Sequence, residues 1–296
     1  DVQASGVWAL NGVSTFDATT IDSGTLAVGD SSHSGATLTS PVTVNAGGTL
    51  AGAGTVFGDI GVLSGGTIAP GAAGSISTLN VSGNVTFNAS SFYRVNIDGA
   101  QSDRLVLSGT AVLGGATLQT VYVGGVQHSY NILHADGGLG GSSFAAVSSN
   151  WGGLIQSLSY TPTDVILTLT ARLGAGADLN GNQRNVADSI NNFFNGGSNL
   201  PAGFGRLFAL DGAPLGTALS QLSGEAGTGA QAGAVQMMTD FLSLMSDPAT
   251  DGRVGAASGG GALGFAQESA AVPGDIRQAY AAALKAPALP APRFEQ

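Results

Sequence analysis

One short unit returns along the first half of this chain, and nothing constrains its fold more. Gly, Thr and an aliphatic residue recur as Gly24-Thr25-Leu26, Gly47-Gly48-Thr49-Leu50, Gly54-Thr55-Val56 and Gly65-Gly66-Thr67-Ile68. Looser copies stand at Asn84-Val85-Thr86-Phe87 and Gly115-Ala116-Thr117-Leu118. Thr49 precedes Thr67 by 18 positions, and Thr67 precedes Thr86 by 19. A period of that length matches one short coil of a β-solenoid, in which each turn supplies about three brief strands. Beyond these copies the period breaks, which predicts longer coils or hairpins.

Local patterns agree with strands. Tyr93, Val95 and Ile97 alternate with Arg94, Asn96 and Asp98, and Val165, Leu167 and Leu169 alternate with Ile166, Thr168 and Thr170. A period of two with one wet face is the pattern of a half-buried strand. Gly, Asn, Asp and Ser lie between these runs, the residues that turn a chain sharply. The chain has 48 glycines in 296 residues. A helix cannot carry so many at ~1 kcal/mol each relative to Ala, whereas solenoid corners can. Apolar residues make up 43%, enough to fill a core and too many for a disordered segment. The first half reads as all-β.

The pattern changes after Arg172. Residues 173–182 contain Gly174, Gly176 and Gly181 and read as a flexible joint. Residues 183–195 carry Val186, Ile190, Phe193 and Phe194 at helical spacing, and Gly196-Gly197 ends that helix. Pro214 suits the first turn of a second helix reaching Leu222. A third is expected from about Ala230 to Met245, with Val235, Met238, Phe241, Leu242 and Met245 on one stripe, closed by Asp247-Pro248. Residues 249–264 read as a Gly/Ala linker. A last helix spans about Asp275 to Lys285 before Pro287, Pro290 and Pro292.

Charge narrows the partners. The net charge is −10 and Lys285 is the only lysine, so the basic cluster that nucleic acid requires is missing from the sequence. Anionic lipid is disfavoured for the same reason. With no Cys, disulfides, thiolate metal sites and Cys nucleophiles are excluded. No apolar run reaches ~18 residues.

Several stretches together resemble the autotransporter family of type V secretion. They are GTLAVG at 24–29, GGTLAGAGTV at 47–56, GGTIAPG at 65–71, LNVSGNVTF at 79–87 and YRVNID at 93–98. SDRLVLSGTAVLGGATL at 102–118, YTPTDVILTLT at 160–170 and LSQLSGEAG at 219–227 complete the set. The resemblance implies a right-handed parallel β-helix with a hairpin cap, followed by a loosely packed α-helical linker region. It divides the chain into β-helix repeats over 1–74, an autochaperone-like cap over 75–172, the joint, a helical linker over 183–247, and a Gly/Ala/Pro-rich segment over 248–296. It implies an outer-membrane β-barrel as the chain's own partner, outside this sequence, and a place at the bacterial cell surface or released from it. Because Asp1-Val2-Gln3-Ala4 opens in mid-pattern, the sequence is expected to be a piece of a longer protein.

Motifs with chemical potential are then weighed against plainer readings. Gly29-Asp30-Ser31 resembles the nucleophile block of GDSL-type esterases, and Asp30-Ser31-Ser32-His33 matches their Asp-x-x-His block. The two overlap within four residues, whereas a triad needs acid and base to converge on the serine from elsewhere. A polar turn is the better reading. His128 and His134 lack a carboxylate at metal-motif spacing and read as edge or surface histidines. Asp178, Asn180 and Asn182 alternate as at the start of a calcium loop, but Gln183 and Ser189 occupy its required Gly and Glu positions. Asn191-Asn192 reads as a helix surface rather than a cleavage site. No catalytic residue, metal ligand or cofactor site emerges, and the chain is not expected to be an enzyme. The one concentration of note is aromatic: Phe87, Phe92, Tyr93, Trp151 and Tyr160 are the expected cap and folding nucleus. Alternatives are a surface adhesin binding host or cell-surface ligands through its repeat loops, and the non-catalytic stalk of an enzyme lying upstream.

Overall fold

In the computed structural model, described over residues 6–71, 75–201, 203–224, 236–239 and 242, the first half is a parallel β-solenoid. Five successive turns each place one strand in three sheets. The first sheet stacks Val7–Leu10, Gly24–Val28, Gly48–Gly52, Thr67–Ala69, Phe92–Asp98, Thr117–Tyr122 and Ala146–Ser149 in that order. The second runs Val13–Thr15, Thr37–Thr39, Thr55–Phe57, Thr78–Ser82, Arg104–Leu107, Ser129–Ala135, and the third Thr19–Ile21, Val42–Val44, Ile60–Val62, Val85–Phe87, Ala111–Val112.

Stacking in register turns the local alternation into buried columns. On the first sheet Leu26, Leu50, Ile68, Tyr93 and Leu118 lie one above another. On the second the column is Leu38, Val56, Val81, Leu107 and Ala135. The third aligns Ile21, Val44, Val62 and Phe87. All of these side chains are buried, and each Val, Leu, Ile or Phe among them contributes about 1.5–3 kcal/mol by leaving water.

The corners set the length of each turn. Thr25, Thr49, Thr67, Phe92 and Thr117 share one row of the first sheet, so successive turns take 24, 18, 25 and 25 residues. The expected 19-residue step from Thr67 to Thr86 is therefore corrected: Thr86 lies on the third sheet, paired with Gly61 and Val112. Both threonines lie in three-residue strands of similar composition, Thr67–Ala69 and Val85–Phe87, and the longer connection from Ala69 to Thr78 shifts the phase. At two corners the backbone passes so close to the turn before that only Gly fits. A Cβ on Gly52 (φ 131°) would lie 2.1 Å from the Val28 carbonyl oxygen, and one on Gly114 (φ 51°) 1.7 Å from that of Phe87.

Polar side chains tie one corner together from turn to turn. Asn84 donates its backbone N–H to Asp59 Oδ1 at 2.8 Å, and its own Oδ1 accepts from the Thr110 backbone N–H at 2.8 Å and hydroxyl at 3.0 Å. Asn96, expected on a wet face, is buried. The short pair Gln101–Ser102 folds back antiparallel on Phe92–Asp98 and carries Asp103 inward. Asp103 accepts from the Asn96 backbone and amide N–H groups, both at 2.9 Å, and from Ser77 N–H at 2.8 Å. Burial pushes its carboxyl up to about 6, against the pull of those donors.

The first two helices expected beyond the solenoid are present. α1 (Gly181–Asn195), a 3-10 turn (Phe204–Ala209) and α2 (Gly212–Leu222) follow the last strand, and residues 236–239 and 242 are helical. Pro214 stands in the first turn of α2, as expected. Of the expected stripe Val186, Ile190, Phe193 and Phe194, Ile190 and Phe194 are buried, Val186 packs against the core and only Phe193 is exposed, while Ala187 joins the buried face. The remaining expectations for 225–235 and 243–296, including the helix at Asp275–Lys285, lie outside the described residues. Among the described residues no helix is long and apolar enough to cross a membrane.

Candidate functional site at the closed end of the solenoid

The regular turn continues through residues 75–112, and the pattern then changes. Ser129–Ala135 is still parallel to Arg104–Leu107, but its other neighbour, Asp164–Ala171, runs antiparallel. That strand pairs in turn with Leu154–Tyr160 across seven residue pairs. The expected hairpin is therefore the last layer of the second sheet. A bulge marks the change of direction: Asn131 pairs with Ile166 and Leu133 with Val165, skipping Ile132. A bulged residue loses its ladder partner. Here the Tyr93 hydroxyl donates to the Ile132 carbonyl at 2.6 Å. Tyr93 is fully buried, and burial raises its phenol well above the ordinary range, so it remains the neutral donor this bond requires.

Three of the five expected aromatics take part in closing this end through buried contacts or a hydrogen bond with Phe144. Phe87 and Tyr93 have ring centroids 5.9 Å apart, and Phe144 completes the group, 6.3 Å from Phe87 and stacked on Tyr93 at 6.0 Å. Tyr160, half-exposed on the hairpin, holds Phe144 in place by accepting its backbone N–H at 3.1 Å. Trp151 is buried in a second group against Tyr122, centroids 5.0 Å apart. Phe92 is set apart from both. It shares its row with Thr67 and Thr117, on the outer face of the first sheet, while Tyr93 shares the buried row of Ile68 and Leu118. Adjacent residues on a strand face opposite ways.

Sequence reading missed Phe144 and Tyr122. Phe144 stands alone in the turn-rich run Gly137–Phe144, and no periodicity marks it. Tyr122, at the end of the alternating strand Thr117–Tyr122, could have been found by that alternation. Phe194 of α1 and Phe208 form a third group, 5.5 Å apart, with the His128 ring 6.1 Å from Phe194.

α1 is docked by hydrogen bonds as well as by apolar contact, more tightly than its sequence implied. Asn195 accepts from Ala171 N–H at 2.7 Å and donates to its carbonyl at 3.1 Å. Asn191, one turn earlier, does the same for Leu173 at 2.8 and 3.1 Å. A carboxamide presents one donor and one acceptor, as a peptide unit does. Two of them at i and i+4 thus continue the ladder where the neighbouring strand, beginning at Ser129, gives out. Asn191, expected as helix surface, is half of this clamp. Asn180, expected in a hinge, is the N-cap of α1: its side chain accepts Gln183 N–H at 2.8 Å and Gln183 Oε1 accepts Asn180 N–H at 2.8 Å. The Asn-x-x-Gln spacing was legible. Between strand and helix, Leu173 and Leu179 are buried.

A polar clasp sits on the outer face of the hairpin. His134 Nδ1 is 2.8 Å from Asp164 Oδ1, its Nε2 is 3.1 Å from Asp136 Oδ1, and Asn131 Nδ2 donates to Asp164 at 2.7 Å. Hydrogen bonding to Asp164 first, then to Asp136, raises the His134 pKa, and hydrogen bonds from Asn131, His134 and the neighbouring threonines depress that of Asp164. His134 is thus a surface histidine, as expected, with carboxylate partners that sequence spacing did not disclose. The Asp30 loop is a polar turn: its Oδ1 accepts from Ser32 N–H at 2.8 Å and His33 N–H at 2.9 Å and pairs with the His33 ring at 2.8 Å. Among the described residues no group of three or more His, Cys, Asp or Glu is gathered to hold a metal.

Taken together, these features define a parallel β-solenoid closed at one end by an antiparallel hairpin and docked helices. No known family model and no curated protein matches the chain.

Proposed function

We propose that this chain is the C-terminal part of an autotransporter passenger, whose closed end nucleates folding and display at the bacterial cell surface. The single observation that carries the reading is the closure of one end of the solenoid: Phe87, Tyr93, Phe144 and Trp151 are buried there, and the last strands reverse into an antiparallel hairpin whose Tyr160 accepts the Phe144 backbone N–H. In a solenoid each turn is stabilised by its neighbours, so a turn that can hold its core without a neighbour beyond it is the place to begin. In this role the closed end forms first outside the cell, and each further turn stacks on the one already folded. The free energy released at each step opposes backsliding. The partner implied is an outer-membrane β-barrel of the same polypeptide, to which the helical region leads.

The test is deletion of residues 75–171 from the parent protein in its own host. The expected result is an inserted barrel with no passenger accessible to protease or antibody at the surface. Normal display of the deletion variant refutes the folding role.

A further inference from the structure

The dipeptide Asn-Gly occurs at Asn11-Gly12, Asn180-Gly181 and Asn195-Gly196, and it is open to a reaction that needs no enzyme. The backbone nitrogen of the glycine attacks the carboxamide carbon of the asparagine, closing a succinimide ring and expelling ammonia, which carries away the glycine N–H proton. One water molecule then opens the ring to Asp or isoaspartate. Glycine favours the attack because no Cβ hinders the approach. The two reacting atoms must still be brought into line, so local structure decides which pair reacts.

The structure puts these pairs in different settings. Asn11 lies exposed between Val7–Leu10 and Val13–Thr15, and among the described residues neither its carboxamide nor the Gly12 N–H makes a hydrogen bond. Asn180 is held in the capping box of α1. Asn195 is the most restrained. Both arms of its carboxamide are bound to Ala171, it ends the helical backbone of α1, and the Gly196 N–H donates to the Asn192 carbonyl at 2.9 Å. Attack there requires that the carboxamide and the last helical turn come free together.

We infer that Asn195 is a conditional deamidation site, protected while α1 is docked on Asp164–Ala171 and reactive when α1 comes away. The product cannot remake the contact. A carboxylate has no N–H to give the Ala171 carbonyl, and its second oxygen faces that carbonyl with the same sign of partial charge. Undocking is thereby recorded as a permanent weakening of the clamp. The reaction is slow compared with docking, so its rate follows the undocked population. This inference is independent of the proposed role in secretion.

The test is incubation of the purified full chain at mildly alkaline pH, with peptide mass mapping of the amide-to-acid change at Asn11 and Asn195. Each site is referred to its own rate in denaturant. Folding should slow Asn195 at least tenfold more than it slows Asn11. Asn191→Ala, or Ile190→Ala as a second way to loosen α1, should speed conversion at Asn195 by about tenfold. Asn195→Asp, which makes the product directly, should accelerate amide exchange at Leu173, whose own partner Asn191 is untouched. Equal slowing of the two sites, a rate at Asn195 unmoved by both loosening substitutions, or unchanged exchange at Leu173 in Asn195→Asp overturns the proposal.

Discussion

The first and last turns of the described solenoid differ in what covers their core positions. In the first, Trp8 shares the inward row of Leu26 and is 53% exposed. The C-terminal turn covers its core positions and gives part of its backbone new partners. Apolar closure comes from Phe144 and Trp151, brought over the last columns by the Gly-rich segment and the hairpin. Backbone closure comes from the reversed strand, from Tyr93 at the bulge and from the paired carboxamides of α1. Stability in a repeat architecture is close to a sum over neighbouring interfaces, so the turns with the most buried contacts contribute the largest share of that sum.

This contrast can be broken most severely at the aromatic group. Tyr93→Ala or Phe144→Ala should cost about 3–5 kcal/mol, read as a fall in the denaturation midpoint, with hydrogen exchange accelerating first in residues 92–171. Trp8→Ala, already half in water, should change stability by no more than about 0.5 kcal/mol. Equal losses from Trp8→Ala and Phe144→Ala would end the argument that the aromatic group carries more of the stability than the first turn.

A smaller effect is expected from the helix clamp. Asn191→Ala and Asn195→Ala should each cost about 1–3 kcal/mol, because each strands an N–H and a carbonyl at the strand's end. Their combination should release α1, measured as faster amide exchange at Ala171 and Leu173. Unchanged protection there would mean that the apolar contacts of Ile190 and Phe194 suffice to hold the helix.

The smallest effect is the pH response of the clasp. A histidine with a raised folded-state pKa contributes stability that is complete below its unfolded value of about 6.5 and disappears as pH rises through the folded value. The depressed Asp164 carboxyl contributes above its unfolded value of about 3.9 and loses that contribution as the solution is acidified. The pair should therefore contribute most between these limits. His134→Gln should remove up to about 1 kcal/mol at pH ~5 and little at pH ~8.5, seen by chemical denaturation at both values. Asp103, whose raised carboxyl costs stability as pH rises through about 6, acts alike in both proteins and cancels in the difference. A loss that is the same at both pH values would assign His134 a packing role instead.

Much of this was legible in the residues. The alternation in Tyr93–Asp98 and Val165–Thr170, the glycines between strands, the turn to helix after Arg172 and the hairpin at the end all follow from local preferences, which act over a few positions. The burial of the aromatics was legible in part. Tyr93 was placed correctly because strand alternation carries it inward, and that same alternation sends Phe92 out. Phe144 lies in a loop where no period operates, so only the folded chain shows what it covers.

What the amino-acid sequence determined alone is the kind of object this is: short strands, glycine corners and aliphatic faces that can be buried only by stacking turn on turn. What the tertiary structure decided is the phase. Thr67 stacks beneath Phe92 and not Thr86, Ile132 is passed over at the bulge, and two asparagines of α1 finish a strand more than a turn of helix away in sequence. Each of these depends on which backbone lies across from which. That pairing is settled by corner length and by the shape of the neighbouring turn, neither of which a local pattern of residues records.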